Sequence, residues 1–86
     1  MKTLTSTIEA IVFASGDPVP VKYIVEKLDC ALKDVNASVK ELQLKYGEDS
    51  GIKLLVFNGK LQFASNPVYK DEIASVLVPV KEKEFT

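Results

Sequence analysis

A two-residue Asn-Gly turn constrains the fold more than any other feature of this sequence. Asn58-Gly59 separates two six-residue apolar runs, 52–57 and 60–65. A type I′ turn needs positive φ angles at both central positions, which Asn and Gly tolerate, so the sequence predicts a tight β-hairpin. A two-residue loop also fixes the register, so the last residue of the first strand faces the first residue of the second.

Strand alternation gives this hairpin two different faces, because successive side chains of a strand point to opposite sides. The predicted core face carries Ile52, Leu54, Val56, Leu61 and Phe63. The opposite face carries Leu55 and Phe57, together with Lys53, Lys60 and Gln62. Two large apolar residues are therefore expected on the side that faces away from the core.

Apolar residues at helical spacing predict four helices around the hairpin, over about 5–15, 21–28, 32–46 and 68–78. The sequence 16–18, Gly-Asp-Pro, ends the first helix, Gly47 is predicted to cap the third, and Pro79 is predicted to end the fourth. Residues 19–20 read as a short extended link. On the third helix, Glu41 and Lys45 are spaced for an i, i+4 ion pair.

Each helix has one stripe of residues that is expected to face the core. The stripes are Ile8, Ile11, Val12 and Ser15 on the first helix, Tyr23, Ile24 and Leu28 on the second, Leu32, Val35, Val39, Leu42 and Tyr46 on the third, and Tyr69, Ile73, Val76 and Leu77 on the fourth. Three helices, a hairpin and a final helix form the order of a winged helix, a mainly α variant of the helix-turn-helix. We predict one winged-helix domain over 1–78, with 79–86 as the start of a linker.

The residue types that catalysis and metal binding usually need are missing. The chain has no His, no Arg, one Cys, and eleven Lys against twelve acidic residues, for a net charge of −1. Without His, the commonest general base and metal ligand are absent, and Cys30 alone cannot form an intramolecular disulfide or a Cys-rich zinc site. We expect no catalytic residue, no metal and no cofactor, and Cys30 is expected to be a buried or half-buried thiol.

Several apolar residues fall outside the predicted stripes and form the candidate protein interface. They are Ala10, Phe13, Leu55, Phe57, Ala74 and Val78, with Leu44 as a further exposed apolar position. A contiguous apolar patch usually marks a protein interface, which favours a homodimer or partner surface. The alternative is that the first helix sits centrally and buries Phe13 in the core.

A DNA-binding transcription regulator is the alternative function. In that interpretation the third helix enters the major groove, and Lys33, Asn36 and Lys40, with Lys60 on the wing, contact DNA. Asp34 and Glu41 lie among them, and the chain has no basic excess. These residues also suit an ordinary solvated helix face of mixed charge, and direct DNA binding by this domain is not expected.

The segment 8–19, IEAIVFASGDPV, resembles the opening of the segregation and condensation protein B family. Residues 51–54, the turn at Gly59 and residues 67–69 resemble that family's wing entry, wing turn and last helix start. The resemblance extends over about 7–77.

This resemblance implies a structural subunit of the bacterial condensin complex, acting in chromosome condensation and segregation. Its members have two tandem winged-helix domains, are cytoplasmic and nucleoid-associated, and join a kleisin (segregation and condensation protein A) to the structural-maintenance-of-chromosomes ATPase. The first domain is associated with homodimerisation, and the second with much of the kleisin contact. The chain then reads as an amino-terminal fragment without the second domain, and no membrane contact is expected.

Overall fold

Helices and strands follow one another in the order that the sequence predicts for a winged helix. The computed structural model describes the backbone of residues 2–85 and the side chains of residues 2–77. Over the described backbone the elements are α1 (Leu4–Ser15), β1 (Val19–Pro20), α2 (Val21–Leu28), α3 (Leu32–Lys45), β2 (Ile52–Phe57), β3 (Lys60–Ser65), the 3₁₀ turn Pro67–Tyr69 and α4 (Lys70–Phe85). The mainly helical winged-helix prediction is confirmed.

The hairpin of β2 and β3 has the predicted bounds and the predicted register. Phe57 faces Lys60 and Leu54 faces Phe63, while Asn58 and Gly59 have φ angles of 49° and 71°. The two-residue turn therefore sets the alternation of both strands, as a type I′ turn requires.

A third strand, β1, is not predicted by the sequence, in which residues 19–20 read as a short extended link. Val19 pairs antiparallel with Leu61, so β3 is the middle strand of a sheet ordered β1-β3-β2. The Val21 amide, at the start of α2, donates to the Gly59 carbonyl at 2.8 Å. Two residues are too short a run for periodicity to detect, and Pro20 is tolerated because β1 is an edge strand.

The core lies between α1, α2, α3 and the inner face of the hairpin. Its buried apolar side chains are Ile8, Val12, Ile24, Val35, Val39, Leu42, Leu54 and Leu61. All eight belong to predicted inner stripes or to the predicted core face. Half-buried residues packed around them include Val25, Leu28, Tyr46 and Phe63.

Polar side chains join α1 to α3 at the border of this core. The Thr5 hydroxyl lies 3.0 Å from Oγ of the buried Ser38 and also contacts the Glu41 carboxylate. Lys45 pairs with Glu9 of α1 at 2.9 Å. The predicted Glu41–Lys45 pair is therefore wrong, because each of these residues has a partner on the neighbouring helix.

Six residues of the predicted inward stripes and core face are exposed instead, and five of them are large and apolar. Those five are Tyr23, Leu32, Val56, Val76 and Leu77. The sixth is Ser15. The reason is size: the core is small, and the end of the wing and the α4 residues Val76 and Leu77 extend beyond the described elements that could cover them. α4 packs mainly against the 3₁₀ turn that precedes it.

Two predicted helix ends are also wrong. α3 ends at Lys45, and the Tyr46 amide caps it by donating to the Leu42 carbonyl at 2.9 Å, so Gly47 is not the cap. α4 continues past Pro79 to Phe85. Proline removes one helical hydrogen bond, and the good helix formers that follow in the sequence favour continuation. The division into a domain over 1–78 and a linker stays a prediction.

A buried asparagine attaches the start of α4 to the loop before the hairpin. The Asn66 amide donates to the carbonyls of Glu48 and Ser50 at 2.8 and 2.7 Å, and its oxygen accepts from the Val68 amide at 3.1 Å. The Tyr69 hydroxyl donates to the Asp49 carbonyl at 2.6 Å. These bonds position the first turn of α4, while Val76 and Leu77 further along the helix stay exposed.

Candidate protein-interaction surface

Helix α1 has one buried side and one apolar side that is open to solvent. Its caps are Thr3, whose side chain accepts from the Ser6 amide, and Gly16, whose φ of 71° is left-handed. Ile8 and Val12 face the core, while Ala10 is exposed and Phe13 is 72% exposed. The alternative that buries Phe13 in a central helix is therefore wrong.

Phe13 lies between two shallow depressions that share Phe63 as a wall. One of them also contains Gly16, Ile52 and Ser65. The other contains Glu9, Ala10 and Tyr46. The Phe63 ring meets the Tyr46 ring edge to face, with centroids 5.2 Å apart. The exposed Phe13 ring thus lies beside two further aromatic side chains, Phe63 and Tyr46.

The wing presents its own apolar pair on the outer face of β2. Leu55 is 41% exposed and Phe57 is 38% exposed. Their cross-strand neighbours are Gln62 and Lys60, whose polar ends border the pair. Strand alternation places Leu55 and Phe57 on the other face of β2 from the buried Leu54, as predicted.

The remaining predicted interface residues lie on α4. Ala74 is exposed, and the side chain of Val78 lies outside the described residues. The structure therefore brings Ala10 and Phe13 together on α1 and Leu55 and Phe57 together on the wing, with Ala74 on a third element.

Other exposed apolar side chains were not predicted to lie on a surface. Val76 and Leu77 extend the apolar side of α4, and Val68 is exposed beside its start. Periodicity could not find these residues, because a stripe that faces a partner and a stripe that faces the core have the same spacing.

A polar cluster borders the second depression beside Phe13. The hydrogen bond from Tyr46, followed by that from Lys45, lowers the pKa of Glu9 below its usual 4.5. The same contacts with Glu9 raise the pKa of Lys45 and the pKa of Tyr46, and partial burial raises the latter further. The cluster is thus a carboxylate held ionised by two donors on the neighbouring helix.

The residues considered for DNA contact lie on two elements. Lys33, Asn36 and Lys40 are exposed on α3, and Lys60 is exposed next to the wing turn. Asp34 and Glu41 are exposed on the same helix. Acidic side chains among the lysines oppose a phosphate backbone, which needs clustered positive charge.

The described part of the chain shows no group of three or more His, Cys, Asp or Glu residues that could hold a metal ion. Cys30 is half-buried, with its thiol 3.9 Å from the Ile24 carbonyl. Among the described helices none is long and apolar enough to cross a membrane.

Comparison with known proteins decides the family. The sequence profile described as "Segregation and condensation complex subunit ScpB" matches residues 6–86. The chain belongs to the ScpB family. Segregation and condensation protein B of Clostridium botulinum (strain Kyoto / Type A2) is 35% identical over 63 residues, covering 72% of this chain and 33% of that protein. The Ruminiclostridium cellulolyticum protein of the same name is 31% identical over 85 residues, covering 98% and 44%. This ScpB-family chain thus spans less than half the length of these relatives.

Two solved structures share the fold. The first is a dimer of the ScpB N-terminal domain complexed with ScpA peptide, with a TM-score of 0.76, 24% identity, and coverage of 85% of this chain and 93% of the other. The second is a conserved hypothetical protein from Chlorobium tepidum, with a TM-score of 0.74, 21% identity, and coverage of 94% and 52%. The predicted resemblance to the ScpB family and the predicted winged-helix fold are both confirmed.

Proposed function

We propose that this chain is a non-enzymatic interaction domain of a chromosome segregation and condensation subunit. In this proposal it forms a homodimer and contacts ScpA, the kleisin of the bacterial condensin complex. The full-length protein then connects with the structural-maintenance-of-chromosomes ATPase in the cytoplasm, at the nucleoid. The observation that carries the proposal is the exposure of Phe13, Leu55 and Phe57 in a member of the ScpB family.

Apolar surface on this scale supports a protein partner. The wing and α1 each expose an aromatic ring together with a smaller apolar residue, and aromatic residues are the usual anchors of interface energy. In a two-fold dimer the same patch serves both copies, so one exposed patch is sufficient. A related domain crystallised as a dimer with ScpA peptide, which supports both partners here.

Sedimentation equilibrium tests the dimer at high micromolar concentration. We expect the wild type to dimerise and Phe57→Asp to weaken dimerisation at least tenfold, because a charge in an apolar interface loses its hydration. Tyr23→Asp is the matched control, since Tyr23 is a 60% exposed aromatic residue on α2, outside the proposed interface. A wild type that stays monomeric contradicts the proposed dimer.

An anisotropy titration with random duplex DNA at low salt tests the alternative function. Weak binding is expected, because Asp34 and Glu41 lie among the lysines of α3. Tight binding that falls steeply with salt would instead indicate a DNA-binding regulator.

A further inference from the structure

The outer edge of β3 is only half covered, because β1 is much shorter than β3. β1 has two residues, Val19 and Pro20, which face Leu61 and Lys60, whereas β3 continues to Ser65. Among the residues that the structure describes, the last four of β3 therefore have no strand neighbour on the side of β1.

Register identifies which backbone groups point to this open edge. The type I′ turn makes Phe57 and Lys60 a hydrogen-bonded pair, and antiparallel pairs alternate, so the amides and carbonyls of Gln62 and Ala64 point toward β2. Those of Leu61, Phe63 and Ser65 point the other way. Leu61 meets Val19 of β1. For the backbone groups of Phe63 and Ser65 no bond to another element is found within residues 2–77.

The chain before β1 cannot close this edge. Pro18 lacks an amide proton. The Asp17 amide donates to the Ser15 hydroxyl at 3.3 Å, and the Asp17 carbonyl lies 2.9 Å from the same hydroxyl. The residue that would face Phe63 is therefore held in a local turn, and β1 cannot extend toward the N-terminus.

A groove lies along the open edge between β3 and the end of α1. Val12, Phe13 and Gly16 form its helical wall, and Ile52 of β2 together with residues 62–65 of β3 form its other wall. A Cβ added at Gly16 would meet no atom within 4 Å, so space remains beside the strand. The groove thus contains the backbone groups of Phe63 and Ser65 that point away from β2, and beside them the exposed Phe13 ring.

We propose that this groove binds an extended segment of ScpA, which adds to the sheet as a strand along β3. Only an extended peptide presents donors and acceptors at the two-residue spacing of Phe63 and Ser65. An apolar side chain of the segment would then pack on Phe13. An ScpB N-terminal domain of the same fold has been solved in complex with an ScpA peptide, which favours an ScpA segment as the occupant. This inference rests on the proposed function, in which ScpA is a partner.

Amide hydrogen exchange followed by NMR tests the open edge in the free chain at low micromolar concentration. We expect the Phe63 and Ser65 amides to exchange at least tenfold faster than those of Gln62 and Ala64. Adding the ScpA subunit from the same genome should slow both edge amides at least tenfold. If ScpA binds and these two amides stay unprotected, the proposed strand addition is wrong.

A matched pair of variants tests the contribution of the edge to affinity. Ser65→Pro removes an amide that points into the groove and leaves the β2 ladder intact, whereas Ser65→Ala removes only the hydroxyl. We expect Ser65→Pro to weaken ScpA binding at least tenfold and Ser65→Ala to change it less than twofold. Circular dichroism checks that both variants fold, and the exchange experiment on the wild type decides the question if Ser65→Pro does not.

The outcomes separate this inference from the proposed function. Equal binding by the two variants overturns strand addition and leaves ScpA as a partner. Slow edge amides in the free monomer overturn it as well, because the edge is then already closed. If the wild type does not bind ScpA, both this inference and the proposed ScpA contact are wrong.

Discussion

The first and last helices of this domain both expose apolar residues, but they are attached in different ways. α1 buries Ile8 and Val12 in the core and is joined to α3 by the Glu9–Lys45 pair, so Phe13 is exposed on a firmly packed helix. α4 is positioned at its start by Asn66 and packs mainly against the 3₁₀ turn before it, and Leu77 is 53% exposed. On α1 the exposed residues lie outside a stripe that is buried in the core. On α4 two residues of the predicted core-facing stripe, Val76 and Leu77, are themselves exposed.

This difference separates the roles of apolar residues in stability and in binding. A residue on the packed side of α1 contributes to folding of the single chain. We expect an exposed residue of α4, such as Leu77, to contribute little to the folding free energy of the single chain unless a partner covers it. The two helices therefore predict a graded series of mutational effects.

Truncation on the packed side of α1 should give the largest effect. Ile8→Ala removes a side chain with no exposed surface and leaves a cavity between α1 and α3. We expect a loss of about 2–5 kcal/mol in the free energy of unfolding, measured by urea denaturation below the concentration of dimerisation. A loss under about 1 kcal/mol would mean that α1 is not an integral part of the core.

Removing the attachment of α4 should have an intermediate effect. Asn66→Ala leaves the carbonyls of Glu48 and Ser50 without their donor, and we expect about 1–3 kcal/mol of destabilisation. Asn66→Asp keeps the acceptor for the Val68 amide and loses the two donated bonds. Hydrogen exchange should show faster exchange in the first turn of α4 in both variants, and unchanged exchange there would contradict this attachment.

The polar link between α1 and α3 should give a smaller, pH-dependent effect. The pKa of Glu9 is lowered by Tyr46 and Lys45, so its stabilising contribution is present above the usual value of 4.5 and is lost as pH falls through the folded value. Thermal melts of the wild type and Glu9→Gln should therefore converge in acid. The pKa of Tyr46 is raised in the folded chain, so the stability that its hydroxyl contributes is fully present below the usual value of 10. That stability is lost as pH rises through the folded pKa.

Charge on the exposed side of α4 should have the smallest effect on the single chain. Leu77→Asp changes the surroundings of a side chain already half in water, so we expect less than about 0.5 kcal/mol in the unfolding free energy. Chemical denaturation of the monomer measures this change, and Leu77→Asn is the uncharged control. A loss comparable to that of Ile8→Ala would show that α4 packs on the core in solution.

Much of the fold could be predicted from the sequence, because its strongest signals are local. The Asn58-Gly59 turn determined the register of the hairpin, and the bounds of α2 and both hairpin strands agreed with the prediction. β1 could not be found, since a two-residue strand is defined only by its partner on β3. The end of α4 could not be found either, because Pro79 weakens a helix without necessarily ending it.

Less of the interaction surface could be predicted, because exposure depends on the size of the core. Ala10, Phe13, Leu55 and Phe57 were identified since they fall outside the periodic stripes. Val76 and Leu77 lie within a stripe, and only the position of α4 shows that they are exposed. The open edge of β3 depends on hydrogen bonds of Ser15 and Asp17 that no periodicity encodes.

The bond from the Val21 amide to the Gly59 carbonyl couples the tip of the wing to the first turn of α2. A helix has several unpaired amides at its start. Here the Val21 amide, which is one of them, is bonded to the turn of the wing. We expect this bond to limit movement of the wing tip relative to α2, and so to limit the directions in which the Phe57 ring can face a partner.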